Sequence, residues 1–234
     1  MKKITALALL LTPLIAMSQD KIVTKKISLN LTEKYHVLNT DNNVRQGLYM
    51  VTDAEGGSVV RGKYDNGKKV GTWMFYGPNN QLVQQYDYTN SKMLYTNLDS
   101  GSYIQTDYSV SAPANATVLP PVKIGGSTLA FLTFYNTKDI PPLITKEKSD
   151  INIKYTVSVN TDGQIENVYA DYESNGVNEH KKVYVKPNSS GLLDFIPAKV
   201  DGNPIKSTVI LSTTVGTDLI KVNYNNQIMN VQKQ

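Results

Sequence analysis

The chain has 234 residues, of which 24 are lysine or arginine and 20 are aspartate or glutamate, and its formal net charge is +4. It contains no cysteine, which excludes disulfides, thiolate metal sites, cysteine nucleophiles and lipid attachment to a cysteine. The basic residues are scattered along the chain, so the composition gives no indication of nucleic-acid binding.

The N-terminus has the pattern of a secretory signal peptide. Lys2 and Lys3 precede an apolar run over 4–16, and small or polar residues follow that run. The run is shorter than the roughly 20 apolar residues that a membrane-spanning helix needs. We expect a signal peptide over 1–18, cleaved after Ser18, and a location in the periplasm or outside the cell, with an uncleaved anchor as the alternative. The Ala-x-Ser-Gln junction resembles that of exported Bacteroidetes-type proteins.

Two units of an internal repeat follow. When the chain is shifted by 24 residues, the segment 47–68 falls on 71–92, and glycine, aromatic, asparagine and lysine positions coincide. Each unit holds two alternating runs separated by turn residues, and Asn66-Gly67 is typical of a type I′ hairpin turn. The repeat predicts an antiparallel meander of about four to six strands.

The glycines of 62–76 raise the alternative of a phosphate-binding loop. Such a loop needs its glycines between a strand and a helix, with Lys-Ser/Thr at its end, whereas Thr72–Tyr76 has the composition of a strand. We therefore interpret the segment as a hairpin. The repeat aromatics are interpreted as cross-strand pairs that stabilise the sheet, with a ligand-stacking platform as the alternative. They are Tyr49, Tyr64, Trp73, Phe75 and Tyr88.

The same segment resembles a MORN-like repeat with the consensus G-x-Y-x-N-G-K-K-x-G-x-W-x-x-Y. The matching residues are Gly62, Tyr64, Asn66, Gly67, Lys68, Lys69, Gly71, Trp73 and Tyr76. The resemblance extends over about 44–95, and Ser91 replaces the turn glycine of the second unit. It implies a structural or interaction module rather than a particular chemistry.

A linker separates this module from the rest of the chain. The segment 111–117, SAPANAT, is small, polar and interrupted by proline, and it follows a predicted strand at 103–110. We therefore place a β-repeat module at 19–110 and a linker at 111–119.

The second half has the pattern of an α+β domain. Apolar residues spaced on one helical face follow Ser127, whose hydroxyl can cap the helix. Alternating runs on both sides of Asn160–Gly163 predict a hairpin with an Asp-Gly turn. A turn at 201–203 precedes a predicted strand over 205–215.

Over about 120–215 these motifs resemble the C-terminal domain of TonB. The matching residues are Pro120-Pro121, Gly125-Gly126, Phe131-Leu132, Ile140-Pro141, the run from Val157 to Val168, Pro197-Ala198 and Asp201-Gly202-x-Pro204-Ile205. The chain departs from the family over 175–195, where no helical period replaces the family's second helix, and at Phe195-Ile196, where a tryptophan is usual. The resemblance implies a TonB C-terminal-like α+β domain at 120–218, followed by a tail at 219–234. The sequence shows no inner-membrane anchor helix and no long proline-rich spacer, so we do not expect the role of an energy transducer.

No set of residues in the sequence is typical of a catalytic or metal site. The two histidines, His36 and His180, lie in different segments, and neither His-Glu-x-x-His nor Gly-x-Ser-x-Gly occurs. The turn at Asn160–Gly163 lacks the later glutamate of a calcium-binding loop. We therefore expect no enzyme activity, no cofactor and no metal, although a carboxylate pair assembled only by folding stays open.

These expectations combine into a protein that is mainly β plus α+β, with an N-terminal antiparallel repeat meander and a C-terminal TonB-C-like α+β domain. We expect an exported, non-catalytic interaction protein of the cell envelope with a protein or peptide partner, no nucleic acid and no transmembrane span after signal cleavage. The alternatives are a carbohydrate-binding protein or hydrolase that uses the repeat aromatics, and a structural envelope component.

The resemblance to TonB implies binding by strand addition, in which an exposed sheet edge pairs with an extended peptide. The candidate edge is the β-branched strand Ser207–Val215, and the alternative is that this strand is internal. The candidate partner-binding residues are Ser207, Val209, Leu211 and Thr213.

Overall fold

The computed structural model describes residues 21–77, 80–97, 104–185 and 192–216. The predicted signal peptide at 1–18 and the predicted tail at 219–234 lie outside the described residues. Over the described part the protein is mainly β and consists of antiparallel sheets, which confirms the coarse fold class expected from the sequence.

The first sheet has seven strands, and each strand pairs antiparallel with the next one along the chain. The strands are β1 (Lys21–Lys26), β2 (Thr32–Val37), β3 (Arg45–Thr52), β4 (Ser58–Asp65), β5 (Lys68–Tyr76), β6 (Leu82–Asp87) and β7 (Lys92–Thr96). Side chains alternate between the two faces, so that Val60 and Tyr64 of β4 are buried while Arg61 between them is exposed. The buried apolar side chains of β3, β4, β5 and β6 therefore share one common core, whereas β1 is almost wholly exposed.

The predicted hairpin turn at Asn66-Gly67 is confirmed. Asn66 has a φ of 46° and Gly67 a φ of 80°, and Asp65 pairs with Lys68 across the turn. Both central residues of a type I′ turn need positive φ, which asparagine tolerates and glycine adopts without strain. In the second unit Ser91, which aligns with Gly67, also has positive φ, at 50°.

The remaining strands form a second sheet of five strands and two small sheets, and two helices and a 3-10 turn lie among them. In chain order they are β8 (Gln105–Val110), β9 (Val118–Leu119), β10 (Val122–Lys123), α1 (Gly126–Phe134), a 3-10 turn (Thr137–Asp139), α2 (Pro142–Lys146), β11 (Ile151–Val159), β12 (Ile165–Ser174), β13 (Val177–Val183), β14 (Phe195–Ile196), β15 (Ala198–Val200), β16 (Asn203–Ile205) and β17 (Ser207–Val215). The five-stranded sheet has the order β13-β12-β11-β17-β8. The small sheets are β16-β15-β9 and β10-β14.

Two turns of this half agree with the sequence patterns. The hairpin β11–β12 closes through Asn160–Gln164, and Asp201-Gly202 joins β15 to β16 with positive φ at both residues. The expected cap at Ser127 is wrong, because α1 already begins at Gly126 and its N-cap is Gly125, with a φ of 92°.

The segment 175–195, where the sequence departed from the TonB family, begins with a strand rather than a helix. Asn175-Gly176 forms a third turn with positive φ at both residues, and β13 follows it at the border of the five-stranded sheet. Its residues are half-buried or exposed, so they lack the strong apolar alternation that marks an internal strand.

The two halves of the chain share part of their cores. One cluster lies in the five-stranded sheet with Phe131 and Phe134 of α1. The other lies on the first sheet and includes Ile124, Leu129 and Leu192 from the second half. Residues beyond the predicted linker therefore complete the core of the first sheet.

Candidate functional site

The strand proposed as a free edge is internal. β17 pairs with β11 along Ser207–Val215 and with β8 along Ser207–Ser212. Ser207, Val209 and Leu211 are buried, and only Thr213 lies beyond the part that β8 covers. The expectation of an exposed edge at this strand is therefore wrong over Ser207–Ser212, because its second side is already paired.

The edge lies one strand further out, at β8. In the described part of the chain β8 has a partner on one side only, and its residues from Gln105 to Ser109 are all exposed. The sequence predicts a strand here, but we had placed it in the repeat module at 19–110. The local sequence carried no signal for its partner, since β8 and β17 are about a hundred residues apart.

The orientation of the main-chain groups of β8 follows from one contact. The backbone N–H of Tyr108 donates to Oδ1 of Asp107 at 2.7 Å. In an antiparallel strand the N–H and C=O of one residue point to the same side, and successive residues alternate. Because the Tyr108 N–H bonds a side chain, we assign Thr106, Tyr108 and Val110 to the outward row, and Gln105, Asp107 and Ser109 to the row that faces β17.

The side chains of β8 are divided between the two faces of the sheet. Tyr108 lies opposite Val209, on the face that carries the core, yet 48% of its surface is exposed. Asp107 lies opposite Ile210 on the other face. An added strand would thus meet an aromatic ring on one face and a carboxylate on the other.

The other sheet borders carry lysines, which protect edges against unwanted pairing. β1 contains Lys21, Lys25 and Lys26, while β13 contains Lys181 and Lys182 and has α2 packed near it. β7 contains Lys92 and is one residue shorter than β8. β8 contains no lysine, and its single charged residue is Asp107.

The repeat aromatics lie inside the first sheet's core. Tyr49, Tyr64, Trp73 and Phe75 are buried, and Trp73 has none of its surface exposed. The ring centroid of Trp73 lies 5.1 Å from that of Tyr49 and 5.3 Å from that of Tyr64. This confirms their interpretation as cross-strand pairs. A ligand cannot stack on these four rings, whereas Tyr88, the fifth repeat aromatic, is half-buried and donates to Asp194.

A buried ion pair accompanies the rings of the first unit. Nη2 of Arg45 donates to Oε2 of Glu33 at 3.0 Å, and Nη1 donates to the hydroxyl of Tyr64 at 3.0 Å. The hydroxyl of Tyr49 also donates to Glu33. Burial raises the pKa of Glu33, although the nearby Arg45 guanidinium acts against that rise. Burial likewise raises the pKa of Tyr64 to about 12.

The second unit has a cation at the equivalent position, but its acid comes from the other half of the chain. Lys69, which aligns with Arg45, forms an ion pair with Asp194 and donates to the hydroxyl of Tyr88 at 3.2 Å. Tyr88 in turn donates to Asp194 at 2.8 Å. Burial lowers the pKa of Lys69, and Asp194 acts against that change.

Further buried polar groups join the two halves. The side-chain amide of Gln84 on β6 donates to the carbonyl of Lys123 at 3.4 Å, and its oxygen accepts from the N–H of Gly125. Nζ of Lys123 donates to the carbonyls of Ile124 and Leu192. Burial lowers the pKa of Lys123 to about 7. These groups satisfy one another inside the protein and present no chemistry to solvent.

The surface of the five-stranded sheet carries a small charged group. Oδ1 of Asp171 lies 2.5 Å from Nδ1 of His180, and its Oδ2 lies 3.0 Å from Nζ of Lys154. Burial alone would raise the pKa of Asp171, but hydrogen bonds from His180 and Lys154 hold it below its ordinary value. His180 stands in the sequence as an isolated histidine, and no local pattern pairs it with Asp171.

A cavity of about 300 Å³ lies where the β1–β2 connection meets the end of α1 and the end of β13. Its lining includes Lys26, Leu29, Phe134, Tyr135 and Val185, and none of its residues belongs to β8 or β17.

Within the described ranges, no group of three histidine or acidic side chains could hold a metal ion. The helices of the described part are too short or too polar to span a membrane.

Comparisons with known proteins give no match: no family model, no curated protein and no solved structure resembles this chain significantly.

Proposed function

We propose that this chain is an exported, non-catalytic interaction protein of the cell envelope that binds an extended peptide by strand addition. In this proposal a MORN-like β-repeat module is followed by a TonB C-terminal-like domain. The binding edge is β8 rather than β17.

The observation that supports the proposal is the outer side of β8. Its outward main-chain groups, at Thr106, Tyr108 and Val110, are of the kind that a sheet edge offers to a further strand. β8 carries no lysine and is exposed along five of its six residues. Main-chain pairing would supply affinity, and the side chains on the two faces would supply selectivity.

Removing one outward N–H tests this proposal. Proline is tolerated in an edge strand when its missing N–H faces solvent, so Thr106→Pro should preserve pairing with β17 and interrupt pairing with a ligand strand. The mature chain is used as bait in envelope extract, the bound segment is mapped by mass spectrometry, and a synthetic peptide of that segment is titrated. We expect Thr106→Pro to weaken binding of this peptide at least about tenfold.

The matched control is Leu94→Pro in β7. Leu94 is exposed and has no partner in the register between β6 and β7, so proline is tolerated there as well. This variant should bind the peptide as the wild type does. Equal binding by Thr106→Pro, or no protection of the β8 amides from hydrogen exchange in the complex, would contradict the proposal.

A further inference from the structure

Asp107 blocks one of the outward-facing main-chain donors at the centre of β8. Its carboxylate accepts the Tyr108 N–H, which would otherwise be offered to an added strand. Among the described residues Asp107 forms no ion pair, and its neighbour β17 contains no charged residue. The carboxylate is thus an exposed, uncompensated negative charge that covers one main-chain donor.

This arrangement disfavours pairing between two copies of β8. Registers that overlap most of the strand place the two Asp107 side chains directly or diagonally opposite each other. Like charges at such positions destabilise a strand pair. A second copy of this chain is therefore a poor occupant of the edge.

A ligand segment with a cation opposite Asp107 would be attracted to the edge instead of being repelled. A lysine or arginine would attract the carboxylate across the strands and draw it away from the Tyr108 N–H. The released N–H could then join the ladder. On the other face the exposed ring of Tyr108 would meet the alternate side chains of the same segment, which favours apolar residues there.

We infer that Asp107 makes the β8 edge selective for an extended segment that has a basic residue opposite Asp107 and apolar residues at the alternate positions. This inference rests on the proposed function, because it presupposes that β8 accepts a strand. Asp107 is then a selectivity residue of the edge, while main-chain pairing supplies the affinity common to all ligand strands.

The test uses the mature chain and two short blocked peptides of alternating valine and threonine, which differ only in a central lysine or glutamate. The wild type should bind the lysine peptide at least about tenfold more tightly than the glutamate peptide, and the preference should shrink as salt is added. Asp107→Ala should lose the preference. It should also bind the glutamate peptide more tightly than the wild type does, because the Tyr108 N–H is then free.

A matched control removes an exposed acid from the first sheet, to which β8 does not belong. Glu55 is exposed in the turn between β3 and β4, so Glu55→Ala should retain the wild-type preference. Thermal unfolding of each variant establishes that it is folded.

The outcomes separate the two proposals. If the wild type binds both peptides equally and Asp107→Ala does the same, the selectivity proposed for Asp107 is wrong. Strand addition at β8 is not contradicted by that result. If neither peptide binds the wild type or Asp107→Ala, and β8 amides gain no protection, strand addition itself is wrong.

Discussion

Gly62 and Trp73 occupy neighbouring strands in a contact that only glycine permits. A Cβ placed on Gly62 would lie 2.2 Å from Cδ2 of Trp73, far inside any contact that real Cβ atoms make. The indole covers the backbone of β4 at this point and is itself fully buried. The pairing of glycine and tryptophan in the repeat thus has a direct steric cause.

Gly62→Ala should therefore destabilise the protein by about 1–3 kcal/mol, because the buried indole must move to make room for a methyl group. Chemical denaturation followed by tryptophan fluorescence measures the change, since Trp73 is the single tryptophan. Gly216→Ala is the control, because a Cβ there meets its nearest atom at an ordinary 3.7 Å. Equal stability of both variants would show that the sheet accommodates the methyl group freely.

Gly67→Val tests the hairpin turn independently of packing. The nearest atom to an added Cβ is 3.9 Å away, so the cost arises from the φ of 80° and not from a clash. A β-branched residue in this conformation should destabilise the protein by about 1–3 kcal/mol. Gly67→Asn should recover most of the loss in thermal unfolding, because asparagine tolerates positive φ. Added nucleotide should change neither melting temperature.

The ion pair of Glu33 and Arg45 should behave as a buried unit. Glu33→Ala leaves a largely buried guanidinium without its counterion and should cost about 3–5 kcal/mol. The double variant Glu33→Ala/Arg45→Ala should be less destabilised than the sum of the single variants. A double-mutant cycle in denaturant measures the coupling free energy between the two residues. Additive effects would show that this coupling is absent.

Cleavage in the linker should leave the two pieces bound to each other. The segment 111–117 is largely exposed, so limited proteolysis should give fragments near 19–112 and 118–234 in a denaturing gel. Under native conditions they should elute together, since β8 stays paired with β17 and Leu129 packs in the first sheet's core. Separate elution without denaturant would mean that these contacts do not hold in solution.

Lys123 should make stability depend on pH. Between its folded pKa of about 7 and the ordinary value near 10.5, the unfolded chain keeps a proton that the folded chain has lost. The free energy of unfolding should therefore rise with pH across this window, by at most about 1.4 kcal/mol per pH unit. Below about pH 7 both states are protonated and this contribution is flat.

The comparison with Lys123→Met isolates this group from others that titrate nearby. The variant should show a smaller rise in stability between about pH 7 and about pH 9.5 than the wild type in chemical denaturation. An identical rise in both proteins would show that Lys123 does not lose its proton in this range.

Structural features that depend only on neighbouring residues could be predicted from the sequence. The turns at Asn66-Gly67 and Asp201-Gly202 were found because positive φ is a local requirement with a local signature. The same signature at Asn175-Gly176 was missed, because the strand after it is an exposed border without clear alternation.

What depends on distant residues could not be predicted. The pairing of β8 with β17 depends on the complete sheet, and no residue in β8 indicates which strand it will pair with. The same holds for Asp194, which becomes a partner of Lys69 only through the packing of the two halves.

The acid that pairs with Lys69 has a consequence for the order of folding. Asp194 follows Lys69 by 125 residues, so an emerging chain contains the complete first sheet long before it contains this carboxylate. Until then the ammonium group must stay hydrated, and the sheet also lacks the apolar cover of Leu129 and Leu192. Such distant contacts slow folding, because a long loop must close before they contribute. The first sheet should therefore reach its final rigidity only after the chain has been made as far as Asp194 and this segment has packed against the sheet.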